Sequence, residues 1–228
     1  MNRSILRLAV LATLFCAFIL GGSSSFAKNV RRGNPGEFDY YVLALSWSPQ
    51  FCATGGARKP GAAQQCGERL GFVIHGLWPQ YKSGGWPQNC GQENDLDPGL
   101  ASVAMNGELR FPVGDLPAHE WNKHGTCSGL SQAGYFQSIA TVAAGISIPK
   151  ELQHVRNKLS LSVDELKSLF VSANSSFGKE TLRVKIDRRR SVSGLMLCLS
   201  RQLQAMSCLS LSDSDGEVVV LPNEGEQP

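Results

Sequence analysis

The cysteines constrain the fold of this chain more than any other feature of its sequence. Six of the seven lie beyond the first 50 residues: Cys52, Cys66, Cys90, Cys127, Cys198 and Cys208. An even set of cysteines in an exported chain predicts a disulfide framework. Six cysteines allow 15 pairings, and the sequence alone does not choose among them. A zinc site is the weaker interpretation, because no CxxC pair occurs.

The first 27 residues have the pattern of a secretory signal peptide. Arg3 and Arg7 give a positive start, residues 8–20 are apolar except for Thr13, and small residues end the segment at Ala27. The apolar run is too short for a comfortable membrane span. We therefore predict cleavage after Ala27, which leaves 228 − 27 = 201 residues, and a secreted or periplasmic protein with no membrane segment in its mature form.

Composition supports one ordinary globular domain over residues 28–228. Hydrophobic residues make up 42% and charged residues 18% of the chain, and no linker or internal repeat interrupts it. The net charge of +3 falls to +1 when the two arginines of the signal peptide are removed. A charge this small gives no broad attraction to nucleic acid, so such a partner must be argued from local clusters. We expect a monomer.

The stretch HEWNKHGTC, residues 119–127, holds two of the four histidines. If it is helical, one face of the helix carries Glu120, Lys123, His124 and Cys127, and His119 lies at the edge of that face. A proton-transfer group, a cation and a carboxylate would then share one face. The zinc-protease motif HExxH does not fit, because here the histidines are five residues apart and would diverge on a helix. A polar helix face without chemistry is the other alternative.

The stretch FVIHGLWPQ, residues 72–80, places another histidine after a short apolar run. Phe72, Val73 and Ile74 predict a strand fragment with His75 at its end. The glycine that follows permits a turn or a close approach, and we expect the chain to bend away at Trp78 and Pro79. Taken alone, His75 is more often a structural residue than a catalyst.

Together the two stretches resemble the two signature motifs of the T2 family of secreted ribonucleases. The motifs stand in the expected order, and the opening strand YYVLALSWSP and the cysteine arrangement also look like the family. The resemblance spans most of the mature chain. Residues 109–118 depart from the family, whose members usually carry more aromatic residues and an extra cysteine or two there. The base-binding pocket is therefore not carried over from the family.

The resemblance implies a secreted endoribonuclease that needs neither a metal nor another cofactor. Family members cut single-stranded RNA by acid–base transphosphorylation, through a 2′,3′-cyclic phosphate to 3′-phosphate ends, with low base specificity. Carried over to this sequence, the roles fall on six residues. The catalytic set is His75 as acid, His124 as base and Glu120 as their assistant, and the substrate-binding set is His119, Lys123 and Trp78.

Elementary chemistry agrees with these roles. RNA supplies its own nucleophile, the ribose 2′-OH, and two imidazoles with pKa values near neutrality can exchange the required protons. Lys123 is a cation available to the pentacoordinate phosphorus. Trp78 would stack on a base, although a core tryptophan is an equal alternative.

Two other functions remain open at this point. One is a metal-dependent phosphodiesterase with His75, His119, Glu120 and His124 as ligands, which the lack of aspartate-rich clusters near either motif disfavours. The other is a catalytically silent secreted protein of the same fold that binds RNA or nucleotides. The intact set of catalytic positions disfavours it.

The remaining patterns predict an α+β fold, with a central antiparallel sheet flanked by helices and stapled by disulfides. Predicted strands cover residues 40–47, 182–186, 195–199 and 218–221, and predicted helices cover residues 131–145, residues 149–158 and a segment opened by a capping box at Ser162. His154 is expected at the surface. Arg188, Arg189 and Arg190 form either a solvated turn or a landing patch for RNA phosphates.

We predict three disulfides. Cys52–Cys66 would close a short loop, and Cys198–Cys208 would close a hairpin between the last two predicted strands. The remaining pair, Cys90–Cys127, would clamp the helix that carries His124 to the chain that leaves His75.

Overall fold

A four-stranded antiparallel sheet with the order β2-β1-β5-β4 forms the centre of the structure. Its strands are β1 (Tyr40–Trp47), β2 (Phe72–Gln80), β4 (Leu182–Ile186) and β5 (Val192–Leu199). A second antiparallel sheet pairs β3 (Leu159–Ser162) with β6 (Glu217–Val220). The computed structural model describes residues 32–59, 62–92, 95–112 and 114–223. The predicted signal peptide lies outside these ranges.

Seven α-helices surround the two sheets in the described part of the chain. They are α1 (Ser48–Ala53), α2 (Ala63–Gly67), α3 (Pro98–Ala101), α4 (Leu116–Lys123), α5 (Gln132–Ala144), α6 (Lys150–Gln153) and α7 (Val163–Ala173). None of the helices in these ranges is both long and apolar enough to cross a membrane. The predicted α+β fold with a central antiparallel sheet is confirmed.

Strand alternation builds the core. Leu43 and Leu45 of β1 point to one face of the central sheet, where they join Leu195 and Leu197 of β5 in the main hydrophobic cluster. The long helices α5 and α7 supply Phe136, Ile139, Leu166 and Phe170 to the same cluster. The opposite face of the sheet carries a smaller hydrophobic cluster around Val42 and Cys198, and it also carries the candidate site.

Strand β2 differs from its prediction, because it continues through His75 and Pro79 to Gln80. Ala44 pairs with Gly76 and Leu45 pairs with Ile74, so His75 is the extra residue of a β-bulge. Ile74 lies in the core and His75 faces the other side by ordinary alternation, and the extra residue lets Leu77 return to the core three residues after Ile74. Pro79 is tolerated because β2 is an edge strand.

The helix predicted over residues 149–158 is only one turn long, Lys150–Gln153. The backbone N–H of Val155 donates to Oδ1 of Asn223 at 2.7 Å, and the Asn223 side chain donates to the carbonyl of Gln153. These tertiary hydrogen bonds replace the bonds that a longer helix would make. His154 ends the turn and is exposed, as expected.

The other helix predictions hold closely. α5 begins after Ser131, whose hydroxyl accepts from the N–H of Gly134, and it ends at Ala144. α7 begins after Ser162, and Ser162 and Glu165 form the predicted reciprocal capping box.

All three predicted disulfides are present: Cys52–Cys66, Cys90–Cys127 and Cys198–Cys208. The hairpin predicted around the last of them is wrong, because β5 pairs with β1 and β4 while β6 pairs with β3. The chain instead turns back directly after β5, where Ser200 donates its N–H to the carbonyl of Gln204. Cys198 and Cys208 lie on the two sides of this turn.

Candidate active site

Helix α4 brings most of the second motif into the site. It begins at Leu116 with Pro117 in its first turn, a position where proline costs no hydrogen bond. The helix ends at Lys123, and His124 is its C-cap, so the helix predicted through Cys127 is one turn too long. A short 3-10 turn, Gly125–Cys127, follows. The N–H of His124 still donates to the carbonyl of Glu120 at 2.9 Å, which keeps these two residues one turn apart.

Two further contacts hold the end of α4. Cys127 is bonded to Cys90, and the neighbouring Asn89 donates its N–H to the carbonyl of Lys123 at 2.8 Å. A separate contact joins α5 to β2, where the Tyr135 hydroxyl accepts from the backbone N–H of Leu77 and donates to the backbone carbonyl of Leu77. The disulfide thus clamps the helical segment of the second motif to the chain that leaves β2, as the pairing predicted.

Glu120 lies at the centre of the site, and its side chain is only 1% exposed. Its Oε2 accepts a hydrogen bond of 2.6 Å from the indole N–H of Trp78. Its Oε1 lies 3.5 Å from Nε2 of His75. One buried carboxyl group therefore connects the first motif to the second.

His75 is held from both sides. Its Nδ1 lies 2.8 Å from the hydroxyl oxygen of Ser46 on β1, and its Nε2 faces Glu120. The side chain is 40% exposed, so one edge of the imidazole is open to a substrate. Burial of the remainder, followed by the positive charge of Lys185, lowers the pKa of His75 to about 4.

His124 stacks on Trp78, with ring centroids 5.3 Å apart and an angle of 30° between the planes. The residue is 4% exposed, and its Nδ1 is buried without a hydrogen-bond partner among the described residues. Burial first, and then the positive charge of Lys123, lower the pKa of His124 to about 3. This imidazole is therefore neutral over most of the pH range and able to accept a proton.

The pKa of the Glu120 carboxyl group is raised, whereas the pKa values of the two histidines are lowered. Burial raises its pKa to about 7, although the Trp78 hydrogen bond and the Lys123 charge act against the shift. Since the pKa of the adjacent His75 is about 4, the two groups together hold one proton between pH 4 and pH 7. Within this range the proton rests on the carboxyl group, whose Oε1 lies 3.5 Å from Nε2 of His75.

One open cavity of about 500 Å³ collects the predicted site residues. All six line it: His75, Trp78, His119, Glu120, Lys123 and His124. In the parts of the chain that the structure describes, no group of three or more His, Cys, Asp or Glu side chains is arranged to hold a metal ion. The arrangement offers three imidazoles, a carboxyl group and a lysine cation around one space.

Three further residues of the site were missed by the sequence analysis. Lys185 and Trp86 line the same cavity, and Ser46 orients His75. Ser46 is a polar interruption in an otherwise apolar strand, which is a usable signal. Lys185 alternates with apolar neighbours in β4, so it was predicted to face away from the core. Only the order of the strands in the sheet shows which side chains lie next to it.

Comparison with known proteins agrees with the motifs. The sequence model of the ribonuclease T2 family matches residues 38–208. A ribonuclease of Aeromonas hydrophila is 52% identical over 108 residues, which cover 46% of this chain and 45% of the relative. A probable ribonuclease of Haemophilus influenzae is 33% identical over 184 residues, which cover 75% of this chain and 61% of the relative. The chain thus spans about half the length of the first of these relatives.

Solved structures share the fold. The RNase-related protein from Calystegia sepium superposes with a TM-score of 0.61 at 27% identity, over 82% of this chain and 98% of that one. RNase NT, solved in complex with 5′-AMP, superposes with a TM-score of 0.60 at 24% identity, over 82% of this chain and 98% of that one. Because the family match runs from Phe38 to Cys208 and includes both histidine motifs, this chain belongs to the ribonuclease T2 family.

Proposed function

We propose that the protein is an endoribonuclease that cleaves single-stranded RNA by acid–base transphosphorylation, without a metal or other cofactor. The products are a 2′,3′-cyclic phosphate and then a 3′-phosphate end. One observation carries the proposal: His75 and His124 both contact the ring of Trp78, at centroid distances of 5.5 and 5.3 Å, in a cavity that also holds Glu120 and Lys123.

The base is His124. It is neutral above its lowered pKa, so it has a free lone pair for the proton of the ribose 2′-OH as that oxygen attacks the adjacent phosphorus. The negative phosphate of bound RNA stabilises the imidazolium that forms. The bond from phosphorus to the 5′-oxygen then breaks. In the second stage water opens the cyclic phosphate, and the two histidines exchange roles.

The acid is His75, and Glu120 supplies its proton. The pair holds one proton between pH 4 and pH 7, and burial places it on the carboxyl group when the site is free. An RNA phosphate at His75 favours the imidazolium, since an opposite charge stabilises the charged form. Binding of RNA therefore moves the proton from Oε1 of Glu120 to Nε2 of His75, which passes it to the departing 5′-oxygen.

Lys123 and His119 bind the phosphate. They lie one helical turn apart in α4, and both line the cavity. A fixed cation aimed at the developing charge on phosphorus stabilises the transition state. His119 is exposed at the cavity, and partial burial together with Lys123 lowers its pKa. A ring N–H of this imidazole can donate to a phosphate oxygen.

Low base specificity follows from the kind of surface that faces the base. Trp78 and the 41%-exposed Trp86 line the cavity together. Stacking on an indole is open to every base, because every base has a π-face.

We also propose that the active form is residues 28–228, exported after removal of residues 1–27, and that it is a monomer. Three disulfides support an oxidising compartment. N-terminal sequencing of the protein recovered from periplasm and medium tests the cleavage site and the location together, and size-exclusion chromatography tests the monomer.

Digestion of a single-stranded RNA and the matching DNA, with and without a chelator, tests the activity. We expect RNA cleavage that ignores the chelator, no DNA cleavage, and cyclic-phosphate or 3′-phosphate ends. A 2′-methoxy group at the scissile nucleotide should stop cleavage at that bond, because the nucleophile is gone. Chelator sensitivity or 5′-phosphate ends would support the metal-dependent alternative, and binding without cleavage would support the silent one.

A further inference from the structure

A row of four residues crosses the face of the central sheet that carries the candidate site. Lys185 of β4 pairs with Gly194 of β5, and Gly194 pairs with Ser46 of β1. The hydroxyl of Ser46 then bonds to Nδ1 of His75 on β2. Side chains of register partners lie on the same face of a sheet, so Lys185 and His75 look onto the same surface.

Gly194 leaves a depression in this row. A Cβ there would lie 2.2 Å from the carbonyl oxygen of Leu45, so the close approach of β5 to β1 requires glycine. A cavity of about 230 Å³ lies beside it, between α1 and the start of the β4–β5 turn. It adjoins the larger cavity, since His75, Trp78 and Lys185 line both.

Lys185 has the position and the positive charge needed to bind an anion. Its side chain is exposed, and its Nζ lies 5.8 Å from the ring centroid of Trp78. It makes no ion pair within the described ranges. Among the charged groups that lower the pKa of His75, Lys185 has the largest effect. Lys185 is therefore the cation next to His75, and Lys123 is the cation next to His124.

The wall of the smaller cavity has an unused acceptor. Gln50 is 4% exposed and donates from Nε2 to Oδ2 of Asp187 at 2.7 Å. Its Oε1 is buried and, among the described atoms, has no hydrogen-bond partner. Buried polar atoms without a partner are rare in native proteins, and this one suits a ribose hydroxyl or a base amino group.

Asp187 is the acidic residue of this cavity, and neutral donors already bind both oxygens of its carboxylate. Its Oδ1 accepts from the backbone N–H groups of Arg189 and Ser191, at 2.9 and 2.8 Å. Arg190 is also committed, because it donates to the carbonyl of Glu217. Arg188 and Arg189 remain exposed in the same turn. The surroundings of the cavity therefore favour an anion.

We propose that Lys185 and this smaller cavity form a second phosphate subsite, which binds the phosphodiester next to the scissile one in single-stranded RNA. The inference rests on the proposed function, since it extends the same RNA chain past His75. It makes Lys185 a substrate-positioning residue whose effect depends on the length of the substrate.

Cleavage of short substrates tests it. A dinucleoside monophosphate has only the scissile phosphate, and trinucleotides with one added phosphodiester on the 5′ or the 3′ side have a second. Lys185→Met should lower kcat/KM on one of the trinucleotides about five- to tenfold more than on the dinucleotide, and its salt slope on that substrate should fall by about 0.7, as for one lost contact to a single strand. Lys185→Arg should keep the wild-type preference for the trinucleotide over the dinucleotide, because arginine keeps the positive charge.

Lys158→Met is the matched control, since Lys158 is an exposed lysine that lines neither cavity, and it should leave both substrates unaffected. Equal losses on all substrates would overturn the subsite, because Lys185 would then act on the scissile phosphate or on His75. No loss on any substrate would overturn it as well. If the wild type binds RNA without cutting it, the proposed function fails, and the same substrate series read as dissociation constants decides the subsite separately.

Discussion

Oε2 of Glu120 lies only 2.0 Å from the position that a Cβ would occupy on Gly76. The same Cβ would lie 2.7 Å from the indole nitrogen of Trp78. The carboxyl group of α4 therefore rests directly on the backbone of β2, next to the bulge that exposes His75. This close approach explains the glycine of the first motif without reference to backbone flexibility, because Gly76 has no positive φ.

Gly76→Ala should displace Glu120 and Trp78 and lower kcat/KM by more than tenfold, because misplacement of about 1 Å costs on the order of 100-fold in rate. Steady-state kinetics on a dinucleotide and thermal unfolding of the same sample measure it. Gly67→Ala in α2 is the control, since its Cβ would meet nothing within 4 Å. Equal kcat/KM in the two variants would show that the Glu120 carboxyl group can be displaced without loss of activity.

Glu120→Gln should stabilise the protein, and more so as the pH rises. Burial raises the pKa of Glu120 from 4.5 to about 7, so the folded protein holds a proton between these values that the unfolded chain has lost. The contribution of Glu120 to wild-type stability then falls by about 1.4 kcal/mol per pH unit from 4.5 to 7, roughly 3 kcal/mol in all, and glutamine lacks this loss. His75 and His124 change stability in the opposite direction, because their pKa values are lowered, but they are present in both proteins and do not alter the difference between them. Urea unfolding of both proteins from pH 4 to 8 checks it, and a constant difference contradicts it.

His75→Ala and His124→Ala should each remove nearly all activity without unfolding the protein, because each removes one proton-transfer step. Lys123→Ala should be milder, with a cost of ~3–4 kcal/mol at most, as for one lost oxyanion donor. Single-turnover rates on folded variants separate these cases. Near-normal turnover in either histidine variant would end the acid–base assignment.

Periodicity and motif spelling predicted much of the fold and site. Strand β1, strand β4 and the capped start of α7 lie where the alternation and the Ser162–Glu165 pair placed them. These signals are local, since each depends on residues within one or two turns of each other. The six motif residues, which came from the family resemblance and not from periodicity, line one cavity, and their roles remain predictions.

The errors all involve long-range contacts. The one-turn length of α6 depends on Asn223, which is 70 residues away from its partner Gln153, and the pairing of β6 with β3 leaves no local pattern. His75 was expected at a strand end because a bulge cannot be read from one strand alone. Lys185 was missed for the same reason, since its place beside His75 depends on the order of four strands.

The proton shared by Glu120 and His75 leads to a change in the pH profile. With the carboxyl group present, the pair keeps its proton up to about pH 7, and this value sets the alkaline limb of kcat/KM. Glutamine still accepts from Trp78 but holds no proton, so His75 must be protonated alone, with a pKa of about 4.

Glu120→Gln should therefore move the alkaline limb from near pH 7 towards pH 4, and leave activity below pH 4 much less affected. The exposed Glu151→Gln is the control, with an unchanged limb expected. Profiles of kcat/KM from pH 3 to 8 on one dinucleotide are sufficient. A uniform loss of activity with the limb in place would mean that Glu120 only positions its neighbours, and that His75 obtains its proton from solvent.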